Sequence, residues 1–176
     1  MPPPTASLPS RLAQRIWAIA QVIPSLLRFV YTCRQSVARK RIHDFLRDVR
    51  TSATPPPAVA VAGFCFGGSY SFALAAADPR IRAAVPFYGY PPESTSVATI
   101  GCPVLALYGD ADERLMESLP ALTAAMADAR VTFTAQTYEG AGHAFFNDTN
   151  PTTYVEDAAA DAFARSLAFL HTNLAA

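Results

Sequence analysis

From residue 58 onward the hydrophobic pattern switches repeatedly between two periods. "AVAVA" (58–62) is a short, unbroken apolar run between prolines and a glycine, which predicts a buried strand. "SYSFALAAA" (69–77) predicts a helix ending at Asp78-Pro79. "AAVPFYG" and "CPVLALYG" predict a second and a third strand. "MESLPALTAAMADA" predicts a helix whose start is expected to be shifted by Pro120. "VTFTAQTY" predicts a fourth strand, and "TTYVEDAAADAFARSLAFLHTNL" a closing helix with one apolar stripe. Strands alternating with helices imply an α/β domain over residues 58–174, with a mostly parallel sheet covered on both faces.

The first fifty residues follow a different pattern. Val37, Ile42, Phe45, Leu46 and Val49 share one helical face over residues 36–50, and "TSATPPP" ends that helix. Residues 16–31, "IWAIAQVIPSLLRFVY", are interrupted by Gln21, Pro24 and Arg28. They also fall short of the roughly 20 apolar residues of a spanning helix. Arg11 and Arg15 give the segment the look of a signal peptide, but a strongly basic stretch follows in place of a small-residue cleavage pattern. The segment reads as an amphipathic or buried helix kinked at Pro24, with a membrane role as the lesser alternative and no membrane partner expected. The organisation expected is a disordered, proline-rich tail over 1–10, a helical region over 11–50 and the α/β domain over 58–174.

Composition narrows the class. Of 176 residues, 51% are hydrophobic, which excludes a disordered chain. Formal net charge is zero, yet residues 1–50 carry nine Lys/Arg against two Asp/Glu, and the remainder five against twelve. A basic N-terminal third can mark a nucleic-acid or membrane-surface contact, but the two halves are expected instead to neutralise each other across an intramolecular face, so no nucleic-acid partner is expected. Three cysteines without regular spacing are not a disulfide framework, which favours a reducing, cytoplasmic setting.

In an open parallel sheet, ligands bind beyond the carboxyl ends of the strands. Cys65 follows the first strand, inside "GFCFGG". Asp110, Asp112, Glu113 and Arg114 follow the third, and His143 follows the fourth. Each has a plain alternative. A glycine-flanked cysteine is often only a small buried hydrophobe, His143 a packed or exposed loop residue, and Asp112 a turn residue or helix cap. Their shared rim and their order (nucleophile, acid, histidine) weigh towards chemistry, because a thiol needs a base and the base needs an acceptor to hold its tautomer. Gly63 and Gly67 would relieve a tight strand-to-helix turn around Cys65, and the backbone N–H of Phe66 would donate to an oxyanion. His43 and His171 fall on helical patterns and read as structural or surface residues. Cys33 and Cys102 read as packing residues. No cluster has metal-ligand spacing, and the glycine-rich turn lacks the Lys-Ser/Thr of a phosphate-binding loop. No cofactor is expected.

"GFCFGG", "AAVPFYGYPP", "YGDADERL" and "YEGAGHAFFNDTNP" together resemble the dienelactone hydrolase family of α/β-hydrolases. The resemblance runs from about residue 58 to residue 170 and more loosely over 11–50. It implies Cys65 as nucleophile, His143 as base and Asp112 as acid, with Asp112 preferred over Asp110 as the last residue of a G-x-x-D turn. The implied function is cleavage of a lactone or small carboxylic ester. The alternative is a shortened, weakly active or inactive member serving as a binding or assembly module; a thiol sensor ranks third. The resemblance also implies further strands ahead of the turn, carrying a second oxyanion donor, a glutamate and an arginine. Nothing in residues 1–50 reads as a replacement strand. A four-stranded sheet with a bare edge at the Cys65 strand is therefore expected, and with it a homodimer paired through that edge, or aggregation.

Overall fold

A computed structural model describes residues 58–174 together with the strand positions Leu26–Leu27 and Val30–Tyr31. In chain order the elements are β1 (Leu26–Leu27), β2 (Val30–Tyr31), β3 (Ala58–Phe64), α1 (Phe66–Ala77), β4 (Ile81–Phe87), α2 (Ser94–Val97), β5 (Val104–Gly109), α3 (Glu113–Asp128), β6 (Phe133–Tyr138) and α4 (Glu156–Leu174). Strands β3, β4, β5 and β6 lie side by side in chain order, and every pairing is parallel.

Sequential order in a parallel sheet, with right-handed crossovers, puts α1, α2 and α3 on one face. The closing helix α4 lies against β3, β4 and β5 and covers the other. Both faces of the central strands are therefore sealed. All six residues of β5 are buried, as are all of β4 except Arg82. This explains their unbroken apolar runs, which alternation would have interrupted had one face met water. The core is dominated by Phe72, Val85, Phe87, Val104, Leu107, Tyr108, Met126, Phe145 and Phe146. At the end of the sheet, β6 is only partly buried, with Thr134 and Thr137 exposed.

Two expectations are corrected. Residues 26–27 and 30–31, expected within a helix over 16–31, are extended and pair in parallel with the outer edge of β3. Leu26 stands opposite Ala58, and Tyr31 opposite Gly63. A buried strand edge needs partners for its N–H and C=O groups, and that demand outweighs a helical apolar pattern. The edge expected to be bare is thus paired from within the chain at Ala58, Val59, Ala62 and Gly63, and at these positions β3 needs no second copy to complete its ladder. Second, Pro120 does not delay α3, which begins at Glu113 and carries the proline in its interior. The disordered tail, the remainder of the helical region over 11–50, Cys33 and His43 lie outside the described residues.

Candidate active site

Cys65 stands between β3 and α1 with φ 55° and ψ −119°, a conformation ordinarily reserved for glycine. Such a backbone costs about 1–3 kcal/mol, and its surroundings must impose it. Two restraints do so. The Cys65 N–H donates to the Phe87 carbonyl (3.0 Å), and the Ser69 N–H donates to the Cys65 carbonyl (3.2 Å). The glycines permit the tight packing. A Cβ on Gly63 would stand 2.1 Å from the Gly67 carbonyl oxygen, which also accepts a 2.9 Å bond from Ser71 Oγ. Gly68 and Gly89 meet back to back: a Cβ on Gly89 would lie 2.3 Å from the carbonyl carbon of Gly68. The side chain of Cys65 is left exposed at the carboxyl end of the sheet. Phe66 opens α1, so its N–H is one of those that a helix leaves without an internal acceptor.

Asp112 occupies the N-cap position of α3, yet its side chain makes no capping bond. Its carboxylate reaches His143 instead, with Oδ2 2.6 Å from Nδ1. The diversion forgoes a cap that is typically worth about 1 kcal/mol. The other ring nitrogen, Nε2, lies 3.1 Å from Cys65 Sγ. An ionised carboxylate only accepts, so Nδ1 is assigned as the donor to Asp112, which leaves Nε2 as an acceptor facing the sulfur. The structure thus brings Cys65, His143 and Asp112 into one hydrogen-bonded line.

His143 is carried by a loop anchored on both sides. Ala141 and Phe145 are fully buried, and the Val155 N–H donates to the Phe145 carbonyl at 3.0 Å. The imidazole also rests on Tyr88, ring centroids 5.1 Å apart. Tyr88 in turn contacts Phe145 at 5.6 Å and both Phe64 and Phe87 at 6.3 Å, while Phe64, Phe87 and Phe146 meet one another at 4.5 to 5.3 Å, all within aromatic-pair range. Burial raises the Tyr88 phenol well above its ordinary range, and negative charge on Cys65 raises it further, so Tyr88 stays neutral beside the thiol.

Tyr88 was not singled out in the sequence. It follows β4 directly, at the same rim as the others, and its position alone could have drawn attention. Its φ of 37° is a second departure from ordinary backbone at this rim. Asp110 does not touch His143; its Oδ1 accepts from the Gly140 N–H. His171 is exposed near the end of α4, and Cys102 is buried, its thiol pushed up to about 11 by that burial. Among the described residues, no group of three or more His, Cys, Asp or Glu could hold a metal ion, and no helix is long and apolar enough to cross a membrane.

The model of the dienelactone hydrolase family matches residues 20–174. A protein of Saccharolobus solfataricus named "Putative carboxymethylenebutenolidase" is 29% identical over 172 residues, covering 97% of this chain and 66% of its own length. A protein of the same name from Yersinia pestis is 37% identical over 115 residues, covering 57% of this chain and 42% of its own length. The chain therefore spans less than two thirds of the length of these curated relatives. A crystal structure of a "Putative Dienelactone Hydrolase" from Klebsiella pneumoniae superposes with a TM-score of 0.62 at 26% identity, over 75% of this chain and 58% of that one. A dienelactone hydrolase-like promiscuous phosphotriesterase from metagenomic libraries gives the same TM-score at 22% identity, over 78% of this chain and 66% of that one, and supports the fold alone.

Proposed function

Because the chain belongs to the dienelactone hydrolase family, we propose that it hydrolyses a lactone or small carboxylic ester through a thioester on Cys65. His143 acts as base and then acid, and Asp112 holds His143 in the required tautomer. The observation that carries this reading is the unbroken line from Asp112 Oδ2 through His143 Nδ1 (2.6 Å) and Nε2 to Cys65 Sγ (3.1 Å).

The chemistry proceeds in two halves. In the first, the Cys65 proton passes to His143 Nε2 and the sulfur attacks the carbonyl carbon. The resulting oxyanion takes a hydrogen bond from the Phe66 N–H. Collapse breaks the C–O bond, and the departing alkoxide receives the proton from Nε2. In the second, Nε2 removes a proton from water, and the hydroxide attacks the thioester. The Cys65 thiolate leaves and recovers its proton from His143. Every step uses this chain, the substrate and water. Asp112 stays ionised throughout and stabilises the imidazolium.

The relatives' name denotes action on a butenolide, which is a cyclic ester. The same bond changes open a lactone ring or split an open ester, so both substrate forms fall within the proposal. A thiolate nucleophile requires reduced sulfur, which fits a reducing, cytoplasmic setting.

Steady-state hydrolysis of p-nitrophenyl acetate by wild type, Cys65→Ala and Asp112→Asn tests the reading. Cys65→Ala should fall to the uncatalysed background. Asp112→Asn should lose about 10³–10⁴ in kcat, because the amide favours the wrong tautomer. Undiminished turnover in Cys65→Ala would refute the proposal.

A further inference from the structure

Two aspartates stand in "GDAD", and only Asp112 reaches the imidazole. The carboxylate of Asp110 crosses instead to the loop after β6, where Oδ1 accepts a 2.7 Å bond from the N–H of Gly140. Gly140 lies three residues before His143 and has φ 67°, so the chain turns there in a left-handed conformation.

Apart from the bond between Asp112 and His143, the two loops are otherwise joined through backbone groups. Asp110 N–H donates to the Tyr138 carbonyl (3.1 Å), and Ala111 N–H to the Ala141 carbonyl (3.0 Å). Gly109 packs so closely that a Cβ there would stand 2.1 Å from the Ala141 oxygen. These contacts hold residues 138 and 141, and the Ala141 N–H closes the turn between them on the Tyr138 carbonyl (3.3 Å); the side chain of Asp110 adds a shorter bond to that turn from outside, at Gly140. The His143 side chain is 38% exposed, against 10% for Asp112. Burial does not fix the imidazole, so its place depends on its bond to Asp112, on the loop that carries it and on Tyr88 beside it.

We propose that Asp110 is a positioning residue for His143: by binding the Gly140 N–H it ties the histidine loop to the loop of Asp112, and so sets the distance of Nε2 from Cys65. The proposal rests on the reading of Cys65, His143 and Asp112 as the reacting groups. What the contact needs is an acceptor oxygen rather than a charge. An asparagine supplies that oxygen and an alanine does not. In this respect Asp110 differs from Asp112, where the amide loses function.

The test uses the whole chain as wild type, Asp110→Ala, Asp110→Asn and His143→Ala. Two quantities are read: the rate at which iodoacetamide alkylates Cys65 at one fixed pH, located by peptide mass spectrometry, and kcat and KM on p-nitrophenyl acetate. Misplacing a catalytic group by about 1 Å costs up to about 100-fold. Asp110→Ala should therefore slow alkylation of Cys65 by about tenfold, towards the His143→Ala rate, and lower kcat by about tenfold with KM within about twofold. Asp110→Asn should stay within about threefold of wild type in both. The proposal is overturned if Asp110→Ala alkylates at the wild-type rate while His143→Ala is slow. It is equally overturned if Asp110→Asn is as impaired as Asp110→Ala. A His143→Ala rate equal to wild type would refute the reading of Cys65 itself, and this proposal with it.

Discussion

The carbonyl oxygen of Gly67 fills the space where a side chain on Gly63 would project. A methyl group there would lie 2.1 Å from that oxygen and 2.8 Å from Ser71 Oγ. Neither neighbour can yield cheaply, because Gly67 is backbone inside the first turn of α1 and Ser71 is buried and bonded to it. Gly63→Ala should destabilise the fold by about 3 kcal/mol or more, within the range of severe core overpacking. Urea unfolding checks this; a change within about 0.5 kcal/mol, typical of an innocuous surface site, would show that the turn is looser than described.

At Cys65 the backbone strain and the chemistry separate by mutation. Glycine adopts φ 55°, ψ −119° without a Cβ penalty, whereas alanine retains it. Cys65→Gly should therefore be more stable than Cys65→Ala by about 1 kcal/mol, with both inactive. Thermal melts of the two variants decide it, and the reverse order would remove the case for strain at the turn.

Alkaline stability follows from three tyrosines and a thiol. Burial raises Tyr88, Tyr108 and Tyr138 above their ordinary range, with Tyr138 further held by donating to Asp161, and burial pushes Cys102 up to about 11. Each group keeps its proton longer when folded than when unfolded. Above the ordinary values, 9.0 for the thiol and 10.0 for the phenols, the unfolded chain has lost protons that the native chain retains, so stability falls as pH rises. Each group contributes a loss of up to about 1.4 kcal/mol per pH unit in that window, and Tyr138, whose hydroxyl meets the half-exposed Asp161, contributes less. The urea midpoint should be insensitive to these four groups between pH 7 and 8.5, roughly a half-unit below the first of the ordinary values, and should decline steeply above about 10. A midpoint unchanged at pH 11 would contradict the burial of these groups.

Strands β3, β4 and β5 were legible because a sheet sealed on both faces writes itself as continuous apolar runs, as in "VLALYG". Cys65, Asp112 and His143 stood out because each ends or follows a strand, where topology gathers ligands. The two-residue strands β1 and β2 were not legible. Such pieces have no period of their own, and their apolar residues fitted a helix equally well. The single turn of α2 is too short for any pattern. The contact of Gly68 with Gly89 joins positions on different elements, so spacing along the chain carries no trace of it. The division of labour between Asp110 and Asp112 was legible only as a preference for one over the other. What each carboxylate touches depends on how the β5 and β6 loops meet.

The central claim is that the Cys65 sulfur accepts the acyl group. Intact-protein and peptide mass spectrometry after a rapid quench with p-nitrophenyl acetate tests it most directly. The account predicts one acetyl group on Cys65, formed faster than it is lost when the substrate is in excess, and long-lived in His143→Ala if it forms there at all. Turnover with the acetyl group on another residue, or turnover that persists in Cys65→Ala, would contradict it.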